Sequence, residues 1–164
     1  MAALEIVLVV AALLCGLVAG LVFGFAVIVM PGIATLGDRE FLRAFQVVDG
    51  VIQQGQPLFG LVWLGSAVAV LIAMVLGAGQ LEGSERLILL GAGLSYLFGA
   101  QLPTVVVNIP LNNELQKLDL DSTNESTWRR ARERFERRWN RWNVVRTVVS
   151  TLVTTALMIL LLRI

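Results

Sequence analysis

The sequence predicts an all-α integral membrane protein: a four-helix bundle with an amphipathic helix in its first loop and a long fourth helix that extends out of the membrane. Of its 164 residues, 57% are hydrophobic and 15% are charged, and the mean hydropathy of +0.78 exceeds that of soluble globular domains. Four apolar segments reach the roughly 20 residues that cross a hydrocarbon core about 30 Å thick. No Pro/Gly/Ser-rich linker divides the chain, so we expect one domain over 1–164.

The four predicted spans cover about residues 6–30, 58–79, 87–107 and 144–162. Each carries small residues one helical turn apart, such as Gly16, Gly20 and Gly24 in the first span. Helices in lipid need such residues for close approach. These rows suit packing inside the bundle, and they also suit contacts in a homo-oligomer, so both interpretations stay open.

The first loop carries the predicted amphipathic helix, over about residues 38–53. Pro31 and Gly32 are expected to end the first span. Apolar residues then recur at helical spacing, namely Phe41, Leu42, Phe45, Val48 and Ile52. Such a helix either lies along the membrane surface or covers the mouth of the bundle.

The last helix is predicted to run from about residue 124 to the C-terminus. Ser122 and Glu125 form a capping-box pattern, and no glycine follows Gly99 and no proline follows Pro110. At about 1.5 Å per residue this helix would be close to 60 Å long, twice the membrane core. Its first half, about 124–143, is therefore expected outside the hydrocarbon.

The outer half of this helix combines an aromatic stripe with an arginine-rich face. The stripe, interpreted as a pocket wall or as a docking surface, consists of Trp128, Ala131, Phe135, Trp139 and Trp142. The arginines form a solvated or lipid-headgroup face or an anion site.

The distribution of basic residues predicts the orientation in the membrane. Most of them lie in the first and third connections, and only Arg86 and Arg163 lie on the other side. Positive-inside counting therefore places the first and third connections in the cytoplasm. With a net charge of +1, membrane lipids are expected partners and nucleic acid is not.

Polar side chains gather where the third and fourth spans meet the outer loops. They are Gln101, Thr104, Asn108, Asn112, Asn113, Trp139, Asn143 and Arg146. An unpaired arginine in hydrocarbon costs about 2.5–3.5 kcal/mol or more, so Arg146 should face the bundle interior, a cavity or the headgroups. The cluster either satisfies the backbone interrupted at Pro103 and Pro110, with Arg146 snorkelling, or presents donors to an anionic oxygen over an apolar chamber. The chain has no histidine, and no metal ligands are predicted.

Two sequence runs carry a family resemblance. They are Asn108-Ile109-Pro110-Leu111-Asn112-Asn113 and, some thirty residues later, Trp139-Asn140-Arg141-Trp142-Asn143-Val144-Val145-Arg146-Thr147. With them, the chain resembles the anthrone oxygenase-like family of small four-span membrane proteins, many of them bacterial and of unknown function. The resemblance covers nearly the whole chain. We expect a multi-pass protein of a bacterial inner membrane. With four spans, both termini are expected on the same side.

For fungal members, the resemblance implies oxidation of an anthrone to an anthraquinone by dioxygen without an evident cofactor. Such a reaction needs loss of a C–H proton and donors that stabilise an oxyanion. The expected catalytic donors are Arg146, Asn143, Asn108 and Asn112, and the expected substrate-binding residues are Trp139, Trp142, Gln101, Thr104 and Asn113. Family members often have a histidine where this chain has Val144, so the resemblance supplies no base. The alternative function is a non-catalytic membrane protein that binds lipid or a hydrophobic small molecule, or a helical partner subunit.

Overall fold

The structure, a computed structural model, describes residues 2–164, and every regular element in that range is helical. The α-helices are α1 (Ala2–Gly24), α2 (Met30–Ala34), α3 (Asp38–Gln53), α4 (Pro57–Gln80), α5 (Gly83–Tyr96), α6 (Ile109–Gln116) and α7 (Glu125–Leu161). Four continuous helices are long and apolar enough to cross a membrane, at Ala2–Ala34, Pro57–Gln80, Gly83–Gln116 and Glu125–Leu161. The predicted all-α class is confirmed, and the protein is an integral multi-pass membrane protein.

Wide π-helical turns carry two of these helices through their prolines. The turns at Phe25–Val29, Leu97–Gln101 and Thr104–Asn108 each end two residues before a proline, namely Pro31, Pro103 and Pro110. A proline lacks an N–H group and crowds the carbonyl four residues earlier. In a π turn the backbone hydrogen bonds span five residues instead of four, so the carbonyls that the proline leaves unpaired can find other N–H groups. The expected helix end at Pro31 is therefore wrong, because the helix continues to Ala34.

The helices enclose two apolar cores that follow one another along α7. One core joins α1, α4, α5 and the C-terminal half of α7 through side chains such as Leu8 and Leu89. The other joins α3 and α6 to the N-terminal half of α7 through Phe41, Phe45 and Phe135. Of the two positions left open for the amphipathic helix, α3 takes the one over the end of the bundle.

Helix α7 begins one turn after an acidic loop. Its N-cap is Asn124, whose Oδ1 accepts a hydrogen bond of 3.1 Å from the N–H group of Thr127. The capping box predicted at Ser122 is therefore not the cap, because the N–H group of Ser122 donates to Asp119 in the preceding turn. From that cap α7 runs for 37 residues, about 55 Å at 1.5 Å per residue, which lets one helix line both cores.

Candidate functional site

A cavity of about 250 Å³ lies where the two cores meet. It is formed by the end of α1, by α3, by the start of α4, by the π turn leading into α6 and by the middle of α7. Its aromatic walls are Phe25, Phe45, Phe59, Trp63 and Trp139. Since a cavity of about 150 Å³ accommodates benzene, this one has room for a flat molecule of more than one ring.

Arg146 reaches the cavity from α7 and is only 5% exposed. Its Nη2 donates to Asn143 Oδ1 at 2.8 Å, its Nη1 donates to Thr104 Oγ1 at 3.0 Å, and its guanidinium lies 5.6 Å from the centre of the Trp139 ring. Within residues 2–164 no carboxylate lies within 4.0 Å of this guanidinium, and its Nε has no hydrogen-bond partner. A buried cation without an acid partner is costly, so the site favours an anionic or carbonyl oxygen from outside the chain.

The two residues that hold Arg146 are themselves fixed by backbone carbonyls. Asn143 donates from Nδ2 to the Val22 carbonyl on α1 at 2.9 Å, which leaves its Oδ1 for Arg146. The Thr104 hydroxyl donates to the Ala100 carbonyl at 2.8 Å, so its oxygen is free to accept. The guanidinium is therefore held between α7 and the third span before any ligand binds.

Asp49 on α3 lines the same cavity and is only 3% exposed. Its Oδ1 accepts from Asn112 Nδ2 at 2.7 Å, and its Oδ2 accepts from Gln116 at 2.9 Å and from Gln53 at 3.3 Å. A carboxylate offers about four acceptor positions, so one position on Oδ1 remains unused. The buried acid and the buried arginine thus border one chamber without pairing with each other.

Asp49 was not among the predicted site residues. A signal for it is present, because Asp49 follows Phe45 by four residues and Phe41 by eight, which places it on the buried face of α3. A lone acid in an apolar helical stripe is either paired or functional. Its partners Gln116 and Asn112 come from α6, more than sixty residues along the chain, where sequence spacing carries no information about contact.

Asn112 connects the acid to the aromatic wall. Its Oδ1 accepts from the indole Nε1 of Trp139 at 2.8 Å while its Nδ2 donates to Asp49. The Trp139 ring also packs 5.4 Å from Phe45 and 5.6 Å from Phe25, measured between ring centroids. The Asn112 amide therefore fixes the position of the Trp139 indole relative to the Asp49 carboxylate.

Asn108 is the most enclosed amide side chain of the third span, at 2% exposure. Its Nδ2 donates a long bond of 3.5 Å to the backbone carbonyl of Trp139, and its Oδ1 has no hydrogen-bond partner in the part of the chain that the structure describes. The unpaired group of Asn108 is consequently an acceptor, and it is enclosed by protein atoms.

The structure brings most of the predicted site residues to this cavity. Its lining includes Thr104, Asn108, Asn112, Trp139, Asn143 and Arg146. Three others lie outside it. Gln101 donates at 3.2 Å to both Ser66 Oγ and Tyr96 Oη in a separate polar cluster, Asn113 accepts from Gln53 at 2.9 Å, and Trp142 packs against the second apolar core.

Fold and cavity together define a class of protein: a four-span helical membrane protein with an aromatic chamber that holds one buried acid and one buried guanidinium. The chain belongs to the anthrone oxygenase family, whose model matches residues 49–156. This match confirms the family indicated by the two sequence runs, and it extends from Asp49 past Arg146. No curated protein and no solved structure matches the chain.

Proposed function

We propose that this protein oxidises a flat, hydrophobic, anthrone-like molecule with dioxygen inside the cavity and without a cofactor. One observation carries the proposal: a buried carboxylate, Asp49, and a buried guanidinium, Arg146, line the same aromatic chamber without forming an ion pair. Cofactor-independent oxidation of a carbon acid needs these two groups, one to accept a proton and one to stabilise the oxyanion that forms.

The reaction can be written so that all atoms balance. An anthrone carries a CH₂ group across its central ring from a ketone, and transfer of one CH₂ proton to Asp49 Oδ1 leaves an enolate whose charge rests on the ketone oxygen near Arg146. The enolate passes one electron to dioxygen, and the resulting radical and superoxide combine with a proton to form a hydroperoxide. Loss of water from the hydroperoxide creates the second ketone, so anthrone and dioxygen yield anthraquinone and water.

The surrounding residues hold the two ionic groups in place. Asn143 and Thr104 orient the guanidinium, and Asn112 orients the carboxylate. The rings of Phe45 and Trp139 form a flat, apolar wall on which an aromatic substrate can stack. Asp49 thereby supplies the base that the family resemblance alone did not provide.

Oxygen uptake by the purified protein in detergent, with an anthrone as substrate, tests the proposal. Asp49→Asn should lower kcat/KM by about 10²- to 10⁴-fold, the usual contribution of a general base, and Arg146→Met by about 10²-fold or more. Asp119→Asn, in an exposed loop, is the matched control and should retain full activity. Unchanged turnover in a folded Asp49→Asn variant would exclude the proposed base.

A non-catalytic binding role is the second candidate. Three amide donors already surround the Asp49 carboxylate, which is also what a purely structural acid requires. In that case the cavity holds a lipid tail or a hydrophobic small molecule. Native mass spectrometry that shows a retained molecule, together with no oxygen uptake, would favour this role, and the same spectra would report whether the chain forms a homo-oligomer.

For the cellular location, we propose a bacterial inner membrane with the first and third connections in the cytoplasm and both termini on the other side. All lysines and arginines except Arg86, Arg146 and Arg163 lie in those two connections, as the positive-inside rule describes. Alkaline phosphatase fused after Arg86 should be active and a fusion after Asp119 inactive. The reverse pattern would invert the proposed orientation.

A further inference from the structure

An arginine stripe runs along one side of the outer half of α7, away from the cavity. Its members follow one another after four, three, one and three residues, so they fall on one face of the helix. All of them are exposed. The arginine stripe consists of Arg130, Arg134, Arg137, Arg138 and Arg141.

The arginine stripe is in register with the lipid-facing side of the fourth span. Counting on from Arg141 by four, seven and eleven residues, which keeps to the same helix face, reaches Val145, Val148 and Leu152. These apolar residues are 36%, 52% and 64% exposed, and they belong to a helix that can cross a membrane. The surface that contacts acyl chains therefore continues along α7 directly into the arginine stripe.

The arginines of α7 differ in whether the protein itself neutralises them. On the side that packs toward the first loop, Arg129 and Arg132 pair with Asp38 at 4.0 Å and 3.1 Å. Within residues 2–164 no member of the arginine stripe forms an ion pair, and the sequence contains no acid from Arg137 to its end. Arg137 and Arg141 are four residues apart, a spacing at which like charges repel. The arginine stripe therefore needs anions that come from outside the chain.

Distance from the hydrocarbon divides the arginine stripe into two parts. The apolar stretch of α7 begins at Val144, and at about 1.5 Å per residue Arg141 lies about 5 Å and Arg137 about 10 Å beyond it, whereas Arg130 lies about 21 Å beyond it. A headgroup layer is about 5–8 Å thick, and charges act across about 8 Å of physiological solution. The inner part, Arg137, Arg138 and Arg141, is thus within reach of the headgroups, and Arg130 is not.

We propose that the inner part of the arginine stripe is a binding surface for anionic phospholipids. A guanidinium pairs well with a phosphate group because it can donate two parallel hydrogen bonds to it. The occupant is a phospholipid and not a soluble polyanion, because the same helix face that carries the arginines also carries the apolar residues that the acyl chains contact. This inference involves neither the cavity nor the proposed oxidation.

Native mass spectrometry of the full chain released from lipid nanodiscs tests the inference. The nanodiscs contain equal amounts of phosphatidylglycerol and phosphatidylcholine with the same acyl chains, so the two lipids differ only in the headgroup. The wild-type protein should retain phosphatidylglycerol about fivefold more often, the equivalent of about 1 kcal/mol for an arginine at an anionic surface. Raising the salt from about 0.1 M to about 1 M shortens the screening length from about 10 Å to about 3 Å and should bring the ratio close to one. Equal retention of the two lipids at low salt would overturn the inference.

Two triple variants with the same loss of charge locate the binding surface. Arg137→Gln, Arg138→Gln and Arg141→Gln together should abolish the preference for phosphatidylglycerol.

The matched control replaces three exposed arginines that already pair with acids. They are Arg39, Arg43 and Arg129. This control should keep the preference, and so should the single variant Arg130→Gln, whose side chain lies beyond the headgroups. A folded triple variant of the inner part that still prefers phosphatidylglycerol, or an equal loss in the control, would disprove the assignment.

The remaining outcomes also decide the question. Wild-type protein that shows no lipid preference but binds polyglutamate would assign the arginine stripe to an acidic protein partner and overturn the inference. A lipid held in the cavity would remain bound in the triple variant of the inner part, whereas a lipid held by the arginine stripe would be lost, so the two are distinguishable. If that variant does not fold, the headgroup ratio and its salt dependence in the wild type decide alone.

Discussion

Replacing Arg132 with methionine is expected to destabilise the protein by about 3 kcal/mol. Arg132 lies on the N-terminal half of α7 and ties that helix to the first loop. It donates at 2.8 Å to the carbonyls of both Ala34 and Leu36, and it forms ion pairs with Asp38 at 3.1 Å and with Glu136 at 2.8 Å. The substitution removes all four contacts at once.

The magnitude follows from the burial of these partners. The Arg132 side chain is 16% exposed and the two acids are 28% and 25% exposed, so water can replace the ion pairs only in part. Hydrogen bonds to a charged group contribute about 1.5–3 kcal/mol each, and the two carbonyl bonds at the lower value already give about 3 kcal/mol. Methionine retains an unbranched stem over the Phe41 ring, where the guanidinium carbon lies 4.4 Å from the ring centre, so lost packing contributes little.

Thermal unfolding in detergent, followed by circular dichroism, measures the effect. A loss of about 3 kcal/mol corresponds to a Tm about 6–12 °C lower for a chain of this size. Arg137→Met is the matched control, because Arg137 is exposed on the same helix and forms no ion pair within residues 2–164, and it should change stability by about 0.5 kcal/mol or less. Amide exchange in α3 should also accelerate in Arg132→Met. The reasoning is refuted if both variants unfold at the same temperature.

Two further predictions concern the second core and the acidic loop. Phe135→Ala should lower the free energy of unfolding by about 3–5 kcal/mol. The ring centre of Phe45 lies 4.5 Å from that of Phe135, so a double-mutant cycle in thermal unfolding should give a coupling energy of about 0.5–1.5 kcal/mol. Additive effects of the two substitutions would contradict this prediction. The N–H groups of Asp121 and Ser122 donate to Asp119 and hold the pKa of that carboxyl below its usual range. This stabilisation is therefore complete above the usual carboxyl range and disappears as the pH falls through the folded-state pKa. The protection factor of the Asp121 amide, which is its exchange rate relative to the intrinsic rate at the same pH, should therefore fall in acid in the wild type and show no such step in Asp119→Ala.

The spans could be predicted because the bilayer imposes both their length and their composition, as at Pro57–Gln80. The ends of the helices could not be predicted in the same way. Pro31 and Pro110 indicate a lost N–H group, but the π turn that restores the backbone bonds depends on neighbouring helices and leaves no pattern in the sequence. A proline inside an apolar segment of this protein therefore marks a widened turn and not a helix end.

Site residues could be predicted from the sequence where placing that one side chain in the membrane is itself unfavourable. Arg146 is such a case, because an arginine in an apolar span must find a cavity, a partner or the surface. Asp49 carries a weaker signal, because its place on the apolar stripe of α3 marks it as buried but does not identify its partners. Those partners lie on α6, residues 109–116, and sequence spacing does not reveal that contact.

The roles of the amides depend in the same way on contacts between distant segments. Asn112 was expected to donate to a substrate, yet its carbonyl oxygen holds Trp139 and one of its amide hydrogens holds Asp49. In the part of the chain that the structure describes, one acceptor position on Asp49 stays without a partner, as do the fully enclosed Oδ1 of Asn108 and Nε of Arg146. Each of these atoms lacks a partner only because the neighbouring groups pair elsewhere. The chemistry of the cavity therefore depends on how α3, α6 and α7 pack together, and it can be read only from the hydrogen bonds of the folded protein.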